Sequence, residues 1–152
     1  MFVLVSKKII FFLIILFLST ITSFAKDKYL SLKKNKVNVR YGPSFDSPIK
    51  YVYKKINLPI KQIDKKENWR RIIDLKNNSG WIHSRMLKKS NSIIILENKI
   101  LFSKPSTFSK PIARLESGRL LIIKTCQTDW CNINTDNYSG WIKNNNIWGF
   151  IN

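Results

Sequence analysis

Beyond the first 25 residues, apolar positions occur in short runs that alternate with polar ones, the two-residue period of a β-strand. Residues 37–40 alternate strictly, and residues 69–73 and 80–83 are rich in β-branched and aromatic side chains. Residues 120–123 and 130–133 have the same character. Clusters of Gly, Pro, Asn and Ser separate the runs, and no segment has the 3.6-residue apolar spacing of an amphipathic helix. The pattern predicts an all-β protein.

The predicted strands fall into an internal repeat. Residues 79–82, Ser-Gly-Trp-Ile, return unchanged as residues 139–142. Pro43-Ser44 and Pro48-Ile49 also return, and Asn68-Trp69 corresponds to Asp129-Trp130. The four matches keep their order at offsets that drift between 60 and 63 residues, as changes in loop length would produce. We therefore expect two tandem domains, residues 26–90 and 91–152. Units of this size are too small for a seven-stranded sandwich and favour small five-stranded β-barrels.

The first 25 residues have the three parts of a secretory signal. Lys7 and Lys8 form a short basic start, residues 9–18 are an unbroken apolar run, and Ser23 and Ala25 are small residues at the −3 and −1 positions of a cleavage site. An uncleaved anchor is the alternative, but a membrane span needs about 20 apolar residues. We predict cleavage after Ala25 and a periplasmic or secreted protein.

The chain carries a formal net charge of +18, from 27 basic and 9 acidic residues. The charge is uneven: residues 26–90 hold 18 basic and 5 acidic side chains, or +13, whereas residues 91–152 hold 7 and 4, or +3. A surface of this kind attracts polyanions. Export argues against nucleic acid, so wall polymers and an anionic membrane surface are the candidate polyanions. A general compositional bias toward Lys, Asn and Ile is the alternative origin of the charge.

Two cysteines, Cys126 and Cys131, are separated by four residues. An even number of cysteines in an exported chain indicates a disulfide. The spacing differs from that of a Cys-x-x-Cys redox motif and suits a hairpin turn between neighbouring strands. We predict a Cys126–Cys131 disulfide.

The two units resemble a known family. Residues 37–44 (Val-Asn-Val-Arg-Tyr-Gly-Pro-Ser) resemble the opening signature of bacterial SH3-like domains, and residues 69–72 with 79–83 resemble their closing part. The second unit carries Cys126 and Trp130-Cys131, Gly140-Trp141-Ile142 and the ending Ile147-Trp148-Gly149. In these features it is similar to the partner repeat of a two-domain, exported alphaproteobacterial family. The resemblance implies SH3-like barrels, and related modules in wall hydrolases bind peptidoglycan. Residues 100–105 lack the arginine and glycine of the signature, which weakens the case for a ligand loop in unit two.

Catalysis finds little support in the sequence. His83 is the single histidine and sits where a strand should end, so it is expected to be a half-exposed strand residue. The acidic residues are scattered, and neither a metal-ligand spacing nor a phosphate-binding loop is present. We predict a protein that is not an enzyme and needs no cofactor or metal.

The predicted ligand surface lies in the first unit, which keeps the full signature and most of the charge. Tyr41 and Phe45 lie on the loop that lines a groove in SH3-like folds, whereas Trp69 and Trp81 are expected in the core or at its rim. The candidate ligand-binding residues are Arg40, Tyr41, Phe45, Lys50, Arg70 and Arg71.

Two functions fit these features. The first is an exported binding or adaptor module that recognises peptidoglycan or another envelope component. The alternative is a structural or protein-interaction partner within an envelope complex. Both predict a partner that is either a cell-wall polymer or an envelope protein.

Overall fold

Alternating buried and exposed side chains build two sheets. The computed structural model describes residues 28–135 and 137–149, and within these ranges the protein is all β apart from one 3₁₀ turn, Ser84–Met86. The first sheet contains β1 (Lys28–Leu32), β2 (Val37–Arg40), β3 (Ile49–Tyr53), β4 (Pro59–Lys66), β5 (Trp69–Ile73), β6 (Ser79–His83) and β7 (Leu87–Lys89). The second contains β8 (Ser92–Ile95), β9 (Lys99–Phe102), β10 (Pro111–Leu115), β11 (Leu120–Gln127), β12 (Trp130–Asn134), β13 (Ser139–Lys143) and β14 (Ile147–Gly149).

The two sheets have the same strand order. The first is β3-β2-β6-β5-β4-β1-β7, and adding seven to each number gives the second, β10-β9-β13-β12-β11-β8-β14. The tandem all-β architecture predicted from the repeat is therefore confirmed. No strand pairing among the described residues joins the two ends of either row.

Among the described residues each sheet has seven strands, where the sequence predicts five per unit. In the first unit β1, β3, β4 and β7 are strands that the sequence pattern did not identify, and β1 and β7 pair with each other across more than 50 residues of chain. The three-residue β7 is Leu-Lys-Lys, which has no strand period of its own and is ordered by its long-range partner.

The predicted export signal, residues 1–25, lies outside the described residues. Among the residues that the structure describes, none belongs to a helix with the length and hydropathy to cross a membrane.

Each sheet encloses its own apolar core. The first core is formed by Leu32, Val37, Val39, Ile60, Ile72 and Ile82. The second is larger and is formed by Ile93, Ile95, Leu101, Leu115, Leu121, Ile123, Cys131, Ile133 and Ile142. Equivalent strands contribute in both units, except that β10 supplies the buried Leu115 whereas β3 supplies only the partly buried Tyr51 and Tyr53. The repeated sequence pattern therefore encodes a repeated core.

The repeated Gly-Trp pair allows two strands to approach closely. A Cβ atom on Gly80 would collide with the Val39 side chain and lie 3.0 Å from the carbonyl oxygen of Arg40. On Gly140 it would lie 2.6 Å from the carbonyl oxygen of Phe102. Glycine is needed at both positions because it has no side chain. β6 lies so close to β2, and β13 so close to β9, that a methyl group would not fit.

The predicted disulfide is present. Cys126 and Cys131 are opposed in the β11–β12 ladder, their Cα atoms are 4.1 Å apart, and their sulfurs are bonded. The bond closes the tip of this hairpin. In the first unit the corresponding pair across β4 and β5 is Lys65 and Arg70, so the second unit alone has this cross-link among the described residues.

Three buried serines join the two units. The Oγ atom of Ser31, on β1, lies 2.8 Å from that of Ser90 and 2.6 Å from that of Ser92, on β8. The Ser92 hydroxyl also donates to the carbonyl oxygen of Asn57, at 2.6 Å. Because buried polar groups are stable only when they are paired, this network fixes the relative position of the two sheets.

The final strand of the second unit packs against the first unit. The Trp148 indole N–H donates to the carbonyl oxygen of Pro59 at 3.2 Å, and its ring meets Tyr29 edge to face with centroids 5.3 Å apart. The adjacent Gly149 lies so close to the first unit that a Cβ there would be 3.1 Å from the Pro59 side chain. The junction between the units is therefore a packed interface.

Candidate functional site

The strand register places an aromatic and basic surface on the outer face of β5 and β6. Trp69 is opposite His83 and Arg71 is opposite Trp81, while Ile72 and Ile82 point into the core. Because side chains alternate along a strand and cross-strand partners share a face, these four outward residues lie together. Arg40 is opposite Trp81 on the next strand and joins the same face.

The loop between β2 and β3 folds over this face. Phe45 meets Trp69 edge to face with ring centroids 5.0 Å apart, and it stacks on His83 at 5.2 Å. Phe45 is 67% exposed, whereas Trp69 beneath it is only 7% exposed. We call Phe45, Trp69 and His83 the aromatic cluster. Phe45 is its solvent-facing member and is available to stack on a ligand.

Arg40 holds the loop in this position. Its guanidinium donates to the carbonyl oxygen of Ser47 at 2.6 Å, and its Cζ atom lies 5.9 Å from the centre of the Phe45 ring. The contact with the ring is a cation–π interaction. Arg40 thus supports the loop as well as adding positive charge beside it.

A small cationic pocket lies next to the aromatic cluster. It has a volume of about 300 Å³ and is lined by Tyr41, Lys50, Arg71, Ser79, Gly80 and Trp81. The Lys50 ammonium lies 5.5 Å from the centre of the Tyr41 ring and donates to the carbonyl oxygen of Ser79 at 3.0 Å. Tyr41 is 65% exposed. The pocket combines an exposed ring with two cations, which suits a ligand that carries carboxylate or phosphate groups.

Five of the six residues predicted for ligand binding therefore lie on one face: Arg40, Tyr41, Phe45, Lys50 and Arg71. The sixth, Arg70, is opposite the core residue Ile82 and so belongs to the other face of β5. Its guanidinium donates to the carbonyl oxygens of Glu67 and Trp69, both at 2.8 Å. The structure places Arg70 at the hairpin turn, apart from the cationic pocket.

His83 and Trp81 complete the surface, although neither is among the six residues predicted for ligand binding. Trp69 is buried and Trp81 is half-buried, in line with the expected core or rim positions, and His83 is the half-exposed strand residue predicted. The register of β5 against β6 brings these side chains together on one face. This register is known only once the pairing of the strands is known.

The second unit has a groove at the place equivalent to the aromatic cluster of the first unit, and the sequence did not predict it. Its volume is about 510 Å³, and Phe108, at its edge, is 100% exposed. The Lys143 ammonium lies 6.0 Å from the centre of the Trp130 ring. The other lining residues are Pro105, Ser106, Thr107, Asp129, Asn144 and Asn145. The loop has lost the arginine and glycine of the first unit but keeps an exposed aromatic residue.

Two tyrosines near the β5–β6 turn have raised pKa values. Burial is the main cause of the raised pKa of Tyr53, and it also raises the pKa of Tyr51. The Tyr53 hydroxyl donates to the Asp74 carboxylate at 3.0 Å, and Asp74 also accepts the backbone N–H groups of Lys76 and Asn78. The phenols stay protonated at neutral pH, so this network serves to hold the turn.

Residues 28–135 and 137–149 contain no group of three or more His, Cys, Asp or Glu side chains that could hold a metal ion.

Comparison with known proteins gives one family. A model of the bacterial SH3 domain matches the chain twice, at residues 33–89 and 97–149. No curated protein matches the chain significantly.

Three solved structures are similar over most of this chain, each at low identity. They are NlpC2 from Trichomonas vaginalis (14% identity, 84% of this chain and 50% of that one, TM-score 0.38), NlpC1 from the same organism (13%, 83% and 47%, TM-score 0.39) and an NlpC/P60 family protein from Bacillus cereus (12%, 80% and 57%, TM-score 0.36). The chain spans about half the length of these proteins.

Proposed function

The chain belongs to the bacterial SH3 domain family, and from this premise we propose that it is an exported, non-catalytic binding protein that recognises cell-wall peptidoglycan. Domains of this family commonly act as binding modules for wall material. The observation that carries the proposal is the outer face of β5 and β6. There the solvent-exposed rings of Tyr41 and Phe45 lie beside cationic side chains.

The chemistry of this face suits a wall fragment. Peptidoglycan offers the apolar faces of its sugars and the carboxylates of its peptides. Phe45 is supported from below by Trp69 and His83, so it can stack on a sugar without first losing much conformational freedom. Lys50 and Arg71 can then pair with a carboxylate in the adjacent pocket. The rings determine specificity, and the charge raises the rate of encounter.

The contacts of His83 support a role in binding. Its Nδ1 atom accepts the backbone N–H of Arg85 at 3.3 Å, and this bond caps the 3₁₀ turn. Its ring is covered by Phe45. His83 therefore holds the 3₁₀ turn and supports the Phe45 ring, which positions that ring for a ligand.

The proposal is tested by sedimentation of the purified protein with sacculi. We expect Tyr41→Ala and Phe45→Ala to weaken binding at least about tenfold, the effect of removing a central aromatic contact. Phe108→Ala is the matched control, because it removes an exposed ring from the second unit, and it should retain binding. Binding that survives Phe45→Ala but is lost with Phe108→Ala would move the site to the second unit.

A charge series tests the cationic part. Lys50→Gln combined with Arg71→Gln should weaken binding and reduce its salt dependence. The control, Lys104→Gln with Arg114→Gln, removes the same number and type of charges from exposed positions of the second unit. Equal losses from both pairs would show that only the net charge matters. Binding to envelope proteins without binding to sacculi would favour the alternative, a protein-interaction partner.

A further inference from the structure

A second candidate site lies between the two units. It is a cleft of about 610 Å³ to which both units contribute side chains. The first unit provides Asn35, Lys54, Lys55, Ile56 and Asn57, and the second provides Arg119, Leu120, Ile122, Asn134 and Thr135. Neither unit alone forms this cleft, and it is separate from the aromatic cluster on β5 and β6.

The cleft is held in shape by the junction. Asn57 lies in its wall, and the backbone carbonyl of this residue accepts the buried hydroxyl of Ser92 at 2.6 Å. The Asn57 backbone N–H donates to the carbonyl oxygen of Leu32 at 2.9 Å, and the residue has a φ of 61°. The first-unit wall is thus bonded both to its own core strand and to the second unit. A site positioned in this way needs little ordering when it binds a ligand.

The charges in the cleft are all of one sign. Lys54, Lys55 and Arg119 are exposed, and none of the ten lining residues carries a carboxylate. In the part of the chain that the structure describes, none of the three forms an ion pair. Bringing like charges together raises the free energy of the folded protein, and a bound anion would relieve that cost.

The cleft also has an apolar part. Ile56 is exposed, and Leu120 and Ile122 are half-buried. An inorganic anion would use the cations and leave these side chains exposed to water. A short peptide with carboxylates and aliphatic groups would use both, and the amides of Asn35 and Asn134 can pair with its backbone.

We infer that the cleft between the units binds a carboxylate-bearing peptide of the cell wall. The origin of the peptide rests on the proposed function, whereas the site is independent of the aromatic cluster. Two domains held together at their junction would then bind the same polymer at two places, the outer face of the first unit and the cleft, which increases the overall affinity.

The test uses the mature two-domain protein and isothermal titration with the soluble tripeptide L-alanyl-γ-D-glutamyl-meso-diaminopimelate. The cleft variant combines Lys54→Gln, Lys55→Gln and Arg119→Gln. Its control combines Lys65→Gln, Lys66→Gln and Arg85→Gln, which removes two lysines and one arginine from exposed positions near the far tip of β4. We expect the cleft variant to lose at least about tenfold in affinity and the control to lose less than about threefold. The thermal unfolding of each variant confirms that it is folded.

The ligand chemistry is tested in the same way. A tripeptide with its free carboxylates converted to carboxamides should bind at least about tenfold more weakly. Inorganic phosphate and phosphatidylglycerol vesicles should show no binding that depends on the cleft residues. Absence of tripeptide binding, equal binding by the cleft variant, equal binding of the carboxamide, or cleft-dependent binding of phosphate or vesicles would each overturn the inference.

The two proposals fail separately. Phe45→Ala should reduce sacculus binding, because Phe45 stacks on sugar, and it should leave the difference in tripeptide affinity between wild type and the cleft variant unchanged. If Phe45→Ala keeps full sacculus binding and the cleft variant loses the tripeptide, the proposed function of the aromatic cluster is wrong and the cleft stands. If Phe45→Ala abolishes tripeptide binding and the cleft variant keeps it, the cleft assignment is wrong.

Discussion

Phe45 and Trp69 meet edge to face, with ring centroids 5.0 Å apart and ring planes inclined by 65°. Phe45 is exposed and Trp69 is almost completely buried, although Trp69 points away from the core of its sheet. The loop residue therefore acts as the cover for an outward-facing tryptophan. This explains how an aromatic side chain can be kept in solvent at low cost, since one face of Phe45 is already packed.

Phe45→Ala should expose Trp69. An aromatic pair of this kind contributes about 1 kcal/mol beyond its buried area, so we expect a loss of stability of that order, measured by chemical denaturation. Quenching of tryptophan fluorescence by iodide should increase. Because the chain has five tryptophans, the comparison is made with Trp69→Phe, in which Phe45→Ala should add little quenching. An equal increase in the Trp69→Phe background would show that another tryptophan had become exposed.

Gly140→Ala should destabilise the second unit. The added methyl group would meet the Phe102 carbonyl oxygen and the Leu101 side chain, and overpacking of this kind costs about 1–3 kcal/mol. Gly118→Ala is the control, because nothing lies within 4 Å of its Cβ position and its φ is 82°. That variant should cost about 1–2 kcal/mol, because a residue with a Cβ atom is strained in the left-handed conformation.

The comparison is made by urea denaturation of both variants. A loss in Gly140→Ala no greater than that in Gly118→Ala would show that β9 and β13 can move apart. The repeated glycine would then need another explanation.

Glu97→Gln should reduce stability at neutral pH and have less effect in acid. The Lys99 ammonium is buried and lies 2.9 Å from the Glu97 carboxylate. The hydrogen bond from Lys99 lowers the pKa of Glu97, with a further contribution from Asn146. A lowered folded-state pKa means that the stabilisation is fully present above the unfolded value, about 4.3, and is lost as the pH falls through the lower folded value.

Melting temperatures of wild-type and Glu97→Gln protein at pH 7 and pH 3 check this prediction. The difference between the two proteins should be largest at pH 7 and should shrink at pH 3. Glu116→Gln is the control, since Glu116 is exposed and forms no ion pair within residues 28–135 and 137–149. If the difference in melting temperature between the two proteins stays constant with pH, the effect of Glu97 comes from hydrogen bonding and not from its charge.

The fold could be predicted because the same sequence pattern occurs twice in the chain. Strand period, turn residues and the repeated Ser-Gly-Trp-Ile segment each indicate the same architecture, and the repeat shows which features matter. In the first unit the sequence pattern did not identify β1, β3, β4 or β7. Two of these, β1 and β7, depend on a distant partner, as the pairing of Leu30 with Lys89 illustrates. Local pattern carries no signal for such strands.

The candidate site was predictable only in part. Tyr41 and Phe45 follow from the loop signature, but the separation of Arg70 from Arg71 depends on which side of β5 each one takes. Trp69 is buried, as expected, but on the outer face of the sheet, where Phe45 covers it. Phe108 of the second unit and the cleft between the units depend on loop shape and on the junction, which no local pattern encodes.

Reducing the Cys126–Cys131 disulfide should destabilise the second unit. The bond closes a loop of six residues at the tip of β11 and β12. By lowering the conformational entropy of the unfolded chain, it stabilises the folded state by about 2 kcal/mol. The tip also carries Asp129 and Trp130, which line the second-unit groove. It is joined to the next turn by the backbone N–H of Asn144, which donates to the backbone carbonyl oxygen of Asp129 at 2.9 Å. We therefore expect the midpoint of urea denaturation to fall on reduction, and Trp130 to become more accessible to quencher before global unfolding. The Cys126→Ser/Cys131→Ser variant should resemble the reduced protein and should not respond to reductant. If oxidised and reduced protein unfold at the same midpoint, the hairpin is held by its ladder and the Asn144 contact, and the disulfide adds nothing to stability.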